Sequence, residues 1–161
     1  MKSLRVLFVI LVVLLTGAAM AESSAPAFEK MKSLAGSWEG KGSDGMSVQV
    51  SYRVTSGGSA LMSEITGHED MISMFHMDGD RLLMTHYCGA GNQPRMVGTI
   101  SPDGKTVKFD FVDATNILPA QGGHMAHLVV TMLDADHHTE DWTFATDKGT
   151  TMHEVFDLTR K

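Results

Sequence analysis

Alternation of apolar and polar residues is clearest in the segment MSVQVSYRV, residues 46–54. Successive side chains of a β-strand point to opposite faces, so one face of this segment is apolar and the other is polar. This pattern predicts a strand that is buried on one face and solvated on the other. The same two-residue alternation of apolar and polar side chains recurs in most of the segments that follow.

Strand-like runs lie on both sides of this segment. One opens at Trp38, and the others lie at about 59–66, 70–77, 80–87, 95–101, 105–112, 124–133, 138–146 and 150–159. Residues that favour turns separate them, including Gly57-Gly58, Asp78-Gly79, Asp103-Gly104 and Lys148-Gly149. About ten short strands at hairpin spacing predict an all-β fold, a closed up-and-down antiparallel barrel. Only the stretch 112–123 breaks the spacing, which predicts a long loop there.

The amino-terminal segment has the order of a secretory signal peptide. Lys2 and Arg5 are followed by an apolar run over 6–15 and by small residues that end in an A-x-A site at Ala21. The run is about ten residues long, which is too short for a helix to span a bilayer of roughly 30 Å. We therefore expect residues 1–21 to be a signal peptide and the protein to be periplasmic or secreted, without membrane insertion.

The rest of the chain divides into a short lead and one domain. Phe28, Met31 and Leu34 recur every three residues before Gly36, so residues 22–35 are predicted to form a lead with a short helix. Residues 36–161 are predicted to form the barrel domain. Removal of the signal leaves 140 residues, enough for one core but not for two.

Charge and cysteine content exclude several classes. The formal net charge is −6 and becomes −8 when Lys2 and Arg5 leave with the signal. An acidic surface without a basic patch repels phosphate backbones, so nucleic acid is not an expected partner. Cys88 is the only cysteine, which excludes an intramolecular disulfide.

Landmarks at the two ends of the barrel region resemble the lipocalin and calycin pattern. They are Gly36-Ser37-Trp38 at the first strand and Arg160 after the last strand. The resemblance implies a calycin barrel in which Trp38 and Arg160 pack together and seal the closed end. The longer string GSWEGKG, residues 36–42, is similar to the opening of nitrobindin-type haem-binding barrels. Internal strings such as DHHTEDW, residues 136–142, resemble a group of exported bacterial proteins of unknown function.

The hairpin 70–87 predicts which side chains point inward. If Asp78-Gly79 is a two-residue turn, residue 77 faces residue 80 across the pair. One face is then richer in Met and aromatic residues than the other, and we expect it to line the barrel interior. Its members include Met84 and His86.

Two later strands bring carboxylates onto apolar faces. Alternation groups Asp113 with Phe109 and Phe111, and it groups Glu140 with Trp142. A buried carboxylate without a partner costs several kcal/mol or becomes protonated. The predicted partners are the basic side chains Arg95, His86 and His127. The group is either a polar cluster in a ligand cavity or a structural hydrogen-bond network.

These patterns predict a small-molecule-binding barrel that holds a largely apolar ligand inside. Glu140 and His86 would orient a polar end of the ligand, and an ordinary histidine would make binding depend on pH near 6–7. The predicted ligand-binding residues are Met84, His86, Arg95, Phe109, Phe111, Asp113, His127, Glu140 and Trp142.

The alternatives are a haem or metal protein and, third, an enzyme. Similarity to nitrobindin would make His153 the haem ligand, but alternation places His153 opposite the apolar face of its strand. His124 and His127 point to opposite faces of a strand, so they predict no zinc site. No nucleophile elbow, phosphate loop or paired-carboxylate motif is present. No cofactor and no enzymatic activity are therefore predicted.

Overall fold

The computed structural model describes residues 23–67 and 69–161. The predicted signal peptide, residues 1–21, and the mature start at Glu22 lie outside the described residues. Within the described ranges, no helix is long and apolar enough to cross a membrane.

The described part of the chain contains one short α-helix and ten strands, joined mostly by tight turns. The helix, α1, spans Ala25–Lys32. The strands are β1 (Gly36–Gly42), β2 (Ser47–Thr55), β3 (Ala60–Thr66), β4 (Met71–Asp78), β5 (Arg81–Tyr87), β6 (Gln93–Ile100), β7 (Thr106–Thr115), β8 (Gly123–Met132), β9 (His137–Thr146) and β10 (Thr151–Arg160).

Every strand pairs antiparallel with its neighbours in sequence, and β1 also pairs with β10. The sheet is therefore a closed up-and-down barrel, as the alternation and the turn spacing predict. Each predicted run corresponds to a strand, and the short amino-terminal helix is present. In β2, Val48, Val50 and Tyr52 are buried while Gln49 and Arg53 are exposed, which is the predicted two-faced pattern.

The seam between β1 and β10 depends on a glycine. An ideal Cβ placed on Gly40 would lie 1.7 Å from the carbonyl oxygen of Asp157, inside any possible contact distance. Without a side chain, the backbone of β1 approaches that of β10 closely enough to pair from Trp38↔Arg160 to Gly42↔Phe156. The first and last strands thus complete the barrel.

Helix α1 covers one end of the barrel, which we call the closed end. Its buried residues Ala27, Phe28 and Met31 belong to the same core as the strands, and the helix contacts β2 and β4 to β7. The Ser24 backbone N–H donates to the Asp80 carbonyl at 2.8 Å, so the start of the helix is attached to the β4–β5 turn. We call the opposite end of the barrel, which α1 does not contact, the open end.

Trp38 and Arg160 lie in contact at the closed end. They face each other across β1 and β10, and the guanidinium carbon of Arg160 lies 4.1 Å from the centre of the Trp38 ring. Arg160 Nη1 donates to the Ala35 carbonyl at 2.8 Å, and Nη2 donates to the Ser33 carbonyl at 3.2 Å. One side chain therefore joins the end of α1 to the barrel seam.

Replacing Arg160 with alanine should lower the free energy of unfolding by about 1–3 kcal/mol, because a stacked cation and several charge-assisted hydrogen bonds are lost together. Urea unfolding followed by circular dichroism measures the change. Arg160→Lys keeps the charge but loses the planar fork, so it should recover only part of the loss. Unchanged stability in Arg160→Ala would show that the stacking contributes nothing.

The β4–β5 turn lies one residue later than predicted, which shifts the pairing register of the two strands by two residues. Asp78 pairs with Arg81, so the turn residues are Gly79 and Asp80, and Met77 faces Leu82 rather than residue 80. Gly79 has φ +59°, the left-handed conformation that glycine adopts at low cost. A shift of two residues preserves alternation, and the inward face that contains Met84 and His86 is confirmed.

Candidate functional site

A row of polar side chains crosses the barrel interior on four neighbouring strands. Tyr52, Ser63, Ser73 and His86 are successive cross-strand partners on β2, β3, β4 and β5. All four side chains are buried. Ser73 Oγ lies 2.9 Å from His86 Nδ1, which fixes the orientation of the imidazole ring.

Glu140 extends from the opposite wall toward this row and is 1% exposed. The Tyr52 hydroxyl donates to Glu140 Oε1 at 2.6 Å, and the Trp142 indole N–H donates to Oε2 at 3.0 Å. His138 Nε2 lies 3.3 Å from Oε1. Both carboxylate oxygens therefore have donors, which offsets much of the cost of burying the group.

The His86 ring packs against the Trp142 ring, with the ring centres 4.7 Å apart. Because Trp142 is bound to Glu140, this contact connects the row of polar side chains back to Glu140. We call the six side chains that are connected in this way the polar ring: Tyr52, Ser63, Ser73, His86, Trp142 and Glu140. His138 connects the polar ring to the closed end, because its ring lies edge-on to Trp38 at 4.2 Å.

Burial controls the protonation of the polar ring. It raises the pKa of the Tyr52 phenol well above its usual value, and the nearby Glu140 charge raises it further, so Tyr52 stays a donor. Burial lowers the pKa of His86 to about 4, although Glu140 opposes the shift. The expectation that His86 titrates near pH 6–7 is therefore wrong, and His86 is neutral at pH 7.

Closely packed apolar side chains surround the polar ring. Met84 and Phe109 are fully buried, and the Phe109 ring lies 5.3 Å from that of Phe75. Alternation placed Met84, His86, Phe109, Glu140 and Trp142 inside the barrel, and the structure brings them together there. Apart from Trp142, however, they belong to the packed core rather than to the cavity described next.

A cavity of about 520 Å³ lies at the open end, and we call it the mouth cavity. Half of its described lining consists of aromatic rings of Trp and Phe and of methionines, and two glutamates also line it. The described residues that line it are Glu69, Met71, Cys88, Gly89, Ala90, Met125, Trp142, Phe144, Met152, His153, Glu154 and Phe156. Of the nine predicted ligand-binding residues, only Trp142 is among them.

Arg95 and Asp113 lie on the outer surface rather than in the interior. Arg95 pairs with the Asp113 carboxylate at 2.5 Å, so it is the partner of a carboxylate as predicted, but both side chains are about half exposed. The cause is a β-bulge: Arg95 faces Asp113 and Met96 faces Phe111, so Val112 is an extra residue. Alternation changes phase at the bulge, and Asp113 turns away from the face of Phe109.

His127 is also on the outer surface, because it alternates with the buried residues Leu128 and Val130 of β8. Met125 faces Phe144 and His127 faces Thr143, which leaves Ala126 as the extra residue of β8. His127 Nδ1 lies 2.8 Å from Asp110 Oδ1 on the neighbouring strand. It is therefore no partner of Glu140.

Phe111 is half-buried beside the β7 bulge. Its ring packs against that of His124 at 4.3 Å. Phe111 is therefore separate from the mouth cavity.

Residues of the mouth cavity that the sequence interpretation missed lie near strand ends at the open end. Phe144 is two residues beyond Trp142 on the face that alternation groups with it, but it was not among the predicted ligand-binding residues. Glu154 is the cross-strand partner of Trp142, and Met125 is the partner of Phe144. Only the three-dimensional pairing shows that these side chains share one space.

His153 borders the mouth cavity from the outer face of β10, where alternation places it. Its Nδ1 lies 3.2 Å from Asp141 Oδ1 and 3.3 Å from Thr143 Oγ1, partners that hold the ring from the outer side of the wall. The described lining residues include no other imidazole. Within residues 23–67 and 69–161, no three side chains of His, Cys, Asp or Glu are grouped so that they could hold a metal ion.

No protein-family model matches the chain, and no curated protein sequence matches it. The fold is similar to that of Rv2717c from M. tuberculosis, with a TM-score of 0.60 and 17% identity over 85% of this chain and 98% of that one. It is also similar to a Nostoc punctiforme protein of unknown function from the DUF3598 family, with a TM-score of 0.55 and 14% identity over 81% of this chain. The match covers 49% of the Nostoc protein, about half its length. At these identities the similarity shows the fold alone, a closed antiparallel barrel compatible with ligand binding.

Proposed function

We propose that this protein is an exported, calycin-like barrel that binds a small, largely apolar molecule in its mouth cavity. The observation that carries the proposal is the cavity itself. Its volume of about 520 Å³ falls in the range of small-molecule sites, and half of its described lining residues are methionines or the aromatic residues Trp and Phe. The flexible methionines Met71, Met125 and Met152 suit ligands of irregular shape.

The polar ring supports the proposal by holding the floor of the cavity. Trp142 belongs to both: its ring lines the mouth cavity, while its indole N–H is bound to Glu140. A floor fixed by buried hydrogen bonds gives the ligand a preorganised surface and lowers the entropic cost of binding. In this proposal Glu140 and His86 act through Trp142 and do not touch the ligand.

The side chains around the cavity favour ligand binding over catalysis. Among the described lining residues, the one thiol nucleophile is Cys88, and burial raises its pKa, so the thiol rather than the reactive thiolate predominates at pH 7. His86 is separated from the cavity by the Trp142 ring with which it packs. We therefore propose a carrier or sensor of apolar molecules rather than an enzyme.

Titration with 1-decanol, a neutral apolar probe, should give saturable binding measured by calorimetry and by quenching of tryptophan emission. Ala90→Phe places a ring in the mouth cavity and should weaken binding at least about tenfold, because it fills the space that the probe needs. The matched control is Ala135→Phe in the exposed β8–β9 turn at the closed end, which should bind like the native protein. Failure to bind decanol, or equal affinity in both variants, would rule out the mouth cavity as the site.

A further inference from the structure

We infer that the connection between β7 and β8, residues 116–122, closes over the mouth cavity when an apolar molecule binds there, and we call this segment the lid. The inference rests on the proposed function and adds a moving element to it. It follows from the position of the lid on the rim, from the backbone at its two ends and from two apolar side chains that it exposes to solvent.

The lid is the longest of the five connections at the open end of the barrel. It has seven residues, whereas the other four connections at this end have four or five. The Asp147 backbone N–H donates to the Gly122 carbonyl at 2.9 Å, and Asn92 Nδ2 donates to the Gly123 carbonyl at 2.8 Å. The carboxyl end of the lid is thus attached to the β9–β10 turn and to the β5–β6 turn.

This end of the lid also touches the wall of the mouth cavity. An ideal Cβ on Gly123 would be 2.7 Å from the ring of Phe144, which lines the cavity. Gln121 Nε2 would lie 3.4 Å from an ideal Cβ on Gly91, the residue after the lining residue Ala90. The described lining includes no residue of the lid itself. In this structure the lid therefore lies beside the mouth rather than over it.

Both ends of the lid have backbone conformations that suit a hinge. Asn116 has φ +57°, in the left-handed region that asparagine enters more readily than most residues. Gly122 and Gly123 have φ +69° and +146°, angles that glycine adopts at low cost. A few residues at the end of an element can absorb the change in φ and ψ that a moving segment needs. The lid can therefore pivot while its single 3₁₀ turn, Pro119–Gln121, keeps its shape.

Few contacts hold the lid in its present position. Within the part of the chain that the structure describes, the hydrophobic core includes no residue of the lid. Ile117 and Leu118 are 48% and 57% exposed. The amino end is held by a polar contact, in which Asn116 Nδ2 donates to Gln93 Oε1 at 2.9 Å. Segments with few buried apolar contacts move at a low cost in free energy.

The same two apolar side chains provide the driving force for closure. A sphere with the volume of the mouth cavity is about 10 Å across. Leu118 lies four positions before Gly122, and four residues of chain span up to about 13 Å, so Leu118 can reach across the mouth. Closure would bury the exposed parts of Ile117 and Leu118 against the hydrocarbon of the ligand, which is enough apolar surface to slow its release at least about tenfold.

The first test measures the release of 1-decanol. The complex is mixed with excess methyl-β-cyclodextrin, which traps the released decanol, and tryptophan emission is followed by stopped flow. The double variant Ile117→Ser/Leu118→Ser should release decanol at least about tenfold faster than the native protein, because affinity changes of this kind lie mostly in the dissociation rate. The matched control Leu133→Ser, which removes a 50% exposed side chain at the closed end, should keep the native rate.

The second test measures the movement itself and needs no variant. Saturating the native protein with decanol should slow hydrogen exchange of the lid amides at least about tenfold, because the closed lid opens less often. The amides of the β8–β9 turn, residues 133–136 at the closed end, serve as the internal control. Their exchange should be the same with and without decanol.

The outcomes separate this inference from the proposed function. If decanol does not bind, the proposed function fails and the lid fails with it. If decanol binds but the double variant releases it at the native rate, the proposed function stands and the lid is overturned. Binding without slower exchange in residues 116–122 overturns the lid in the same way.

Discussion

Replacing Glu140 with alanine is expected to lower the free energy of unfolding by about 3–5 kcal/mol, a large fraction of the stability of a domain this size. The loss arises because the Tyr52 hydroxyl and the Trp142 indole N–H, both buried, are left without the acceptor they share. A cavity the size of the missing side chain adds to the cost. Urea unfolding monitored by circular dichroism measures the effect.

Two further variants show whether the network is the cause. Tyr52→Phe removes one donor and should cost only about 1–2 kcal/mol, and the double variant should cost less than the sum of the two, because both changes remove the same hydrogen bond. Glu64→Ala, an exposed glutamate on β3, should change stability by less than about 0.5 kcal/mol. A Glu140→Ala effect as small as that of Glu64→Ala would show that the polar ring does not hold the barrel together.

Lowering the pH from 6.5 toward 4 is expected to remove as much as about 3 kcal/mol of stability through His86 alone. The unfolded chain takes up a proton on this histidine near the ordinary histidine pKa of 6.5, whereas the folded protein takes it up only near 4. Between these values the unfolded state binds more protons, so stability falls as the pH falls, by up to about 1.4 kcal/mol per pH unit.

The measurement is urea unfolding at pH 4, 5, 6 and 7. His86→Gln should have a flatter dependence than the native protein in this window, because glutamine has no proton to take up. His76→Gln, at an exposed position on β4, serves as the matched control and should keep the native slope. Equal slopes in the native protein and His86→Gln would mean that His86 is not held neutral by its burial.

Alternation and turn residues were sufficient to predict the closed barrel, because each strand pairs with its sequence neighbours and the period of two is unbroken along most of the chain. They were insufficient where one residue is inserted. Nothing in the sequence around Val112 distinguishes a bulge from a regular strand, so Asp113 was assigned to the wrong face. Similarly, the sequence does not distinguish Asp78-Gly79 from Gly79-Asp80 as the two residues of the hairpin turn.

The candidate site was predictable only in part. Glu140 was recognised as a carboxylate that needs a partner, but Tyr52, which donates to it, lies 88 positions earlier in a strand that looked simply apolar inside. The mouth cavity is formed by residues from several strand ends and turns, including Glu69, Met125 and Glu154. Its existence depends on how these ends are arranged in space, and one-dimensional periodicity contains no information on that arrangement.

The seam between β1 and β10 has a consequence for how the protein is made. The strand β10, which pairs with β1 on one side, is synthesised after all the other strands of the barrel, and Arg160 is its final residue. Until then, both β1 and β9 have an edge whose backbone groups lack a strand partner, and such edges recruit other chains. Closure joins segments separated by almost the whole domain, so it carries the largest loop entropy of any pairing in the barrel. Premature termination within β10 would therefore produce an aggregation-prone open sheet rather than a slightly weakened barrel.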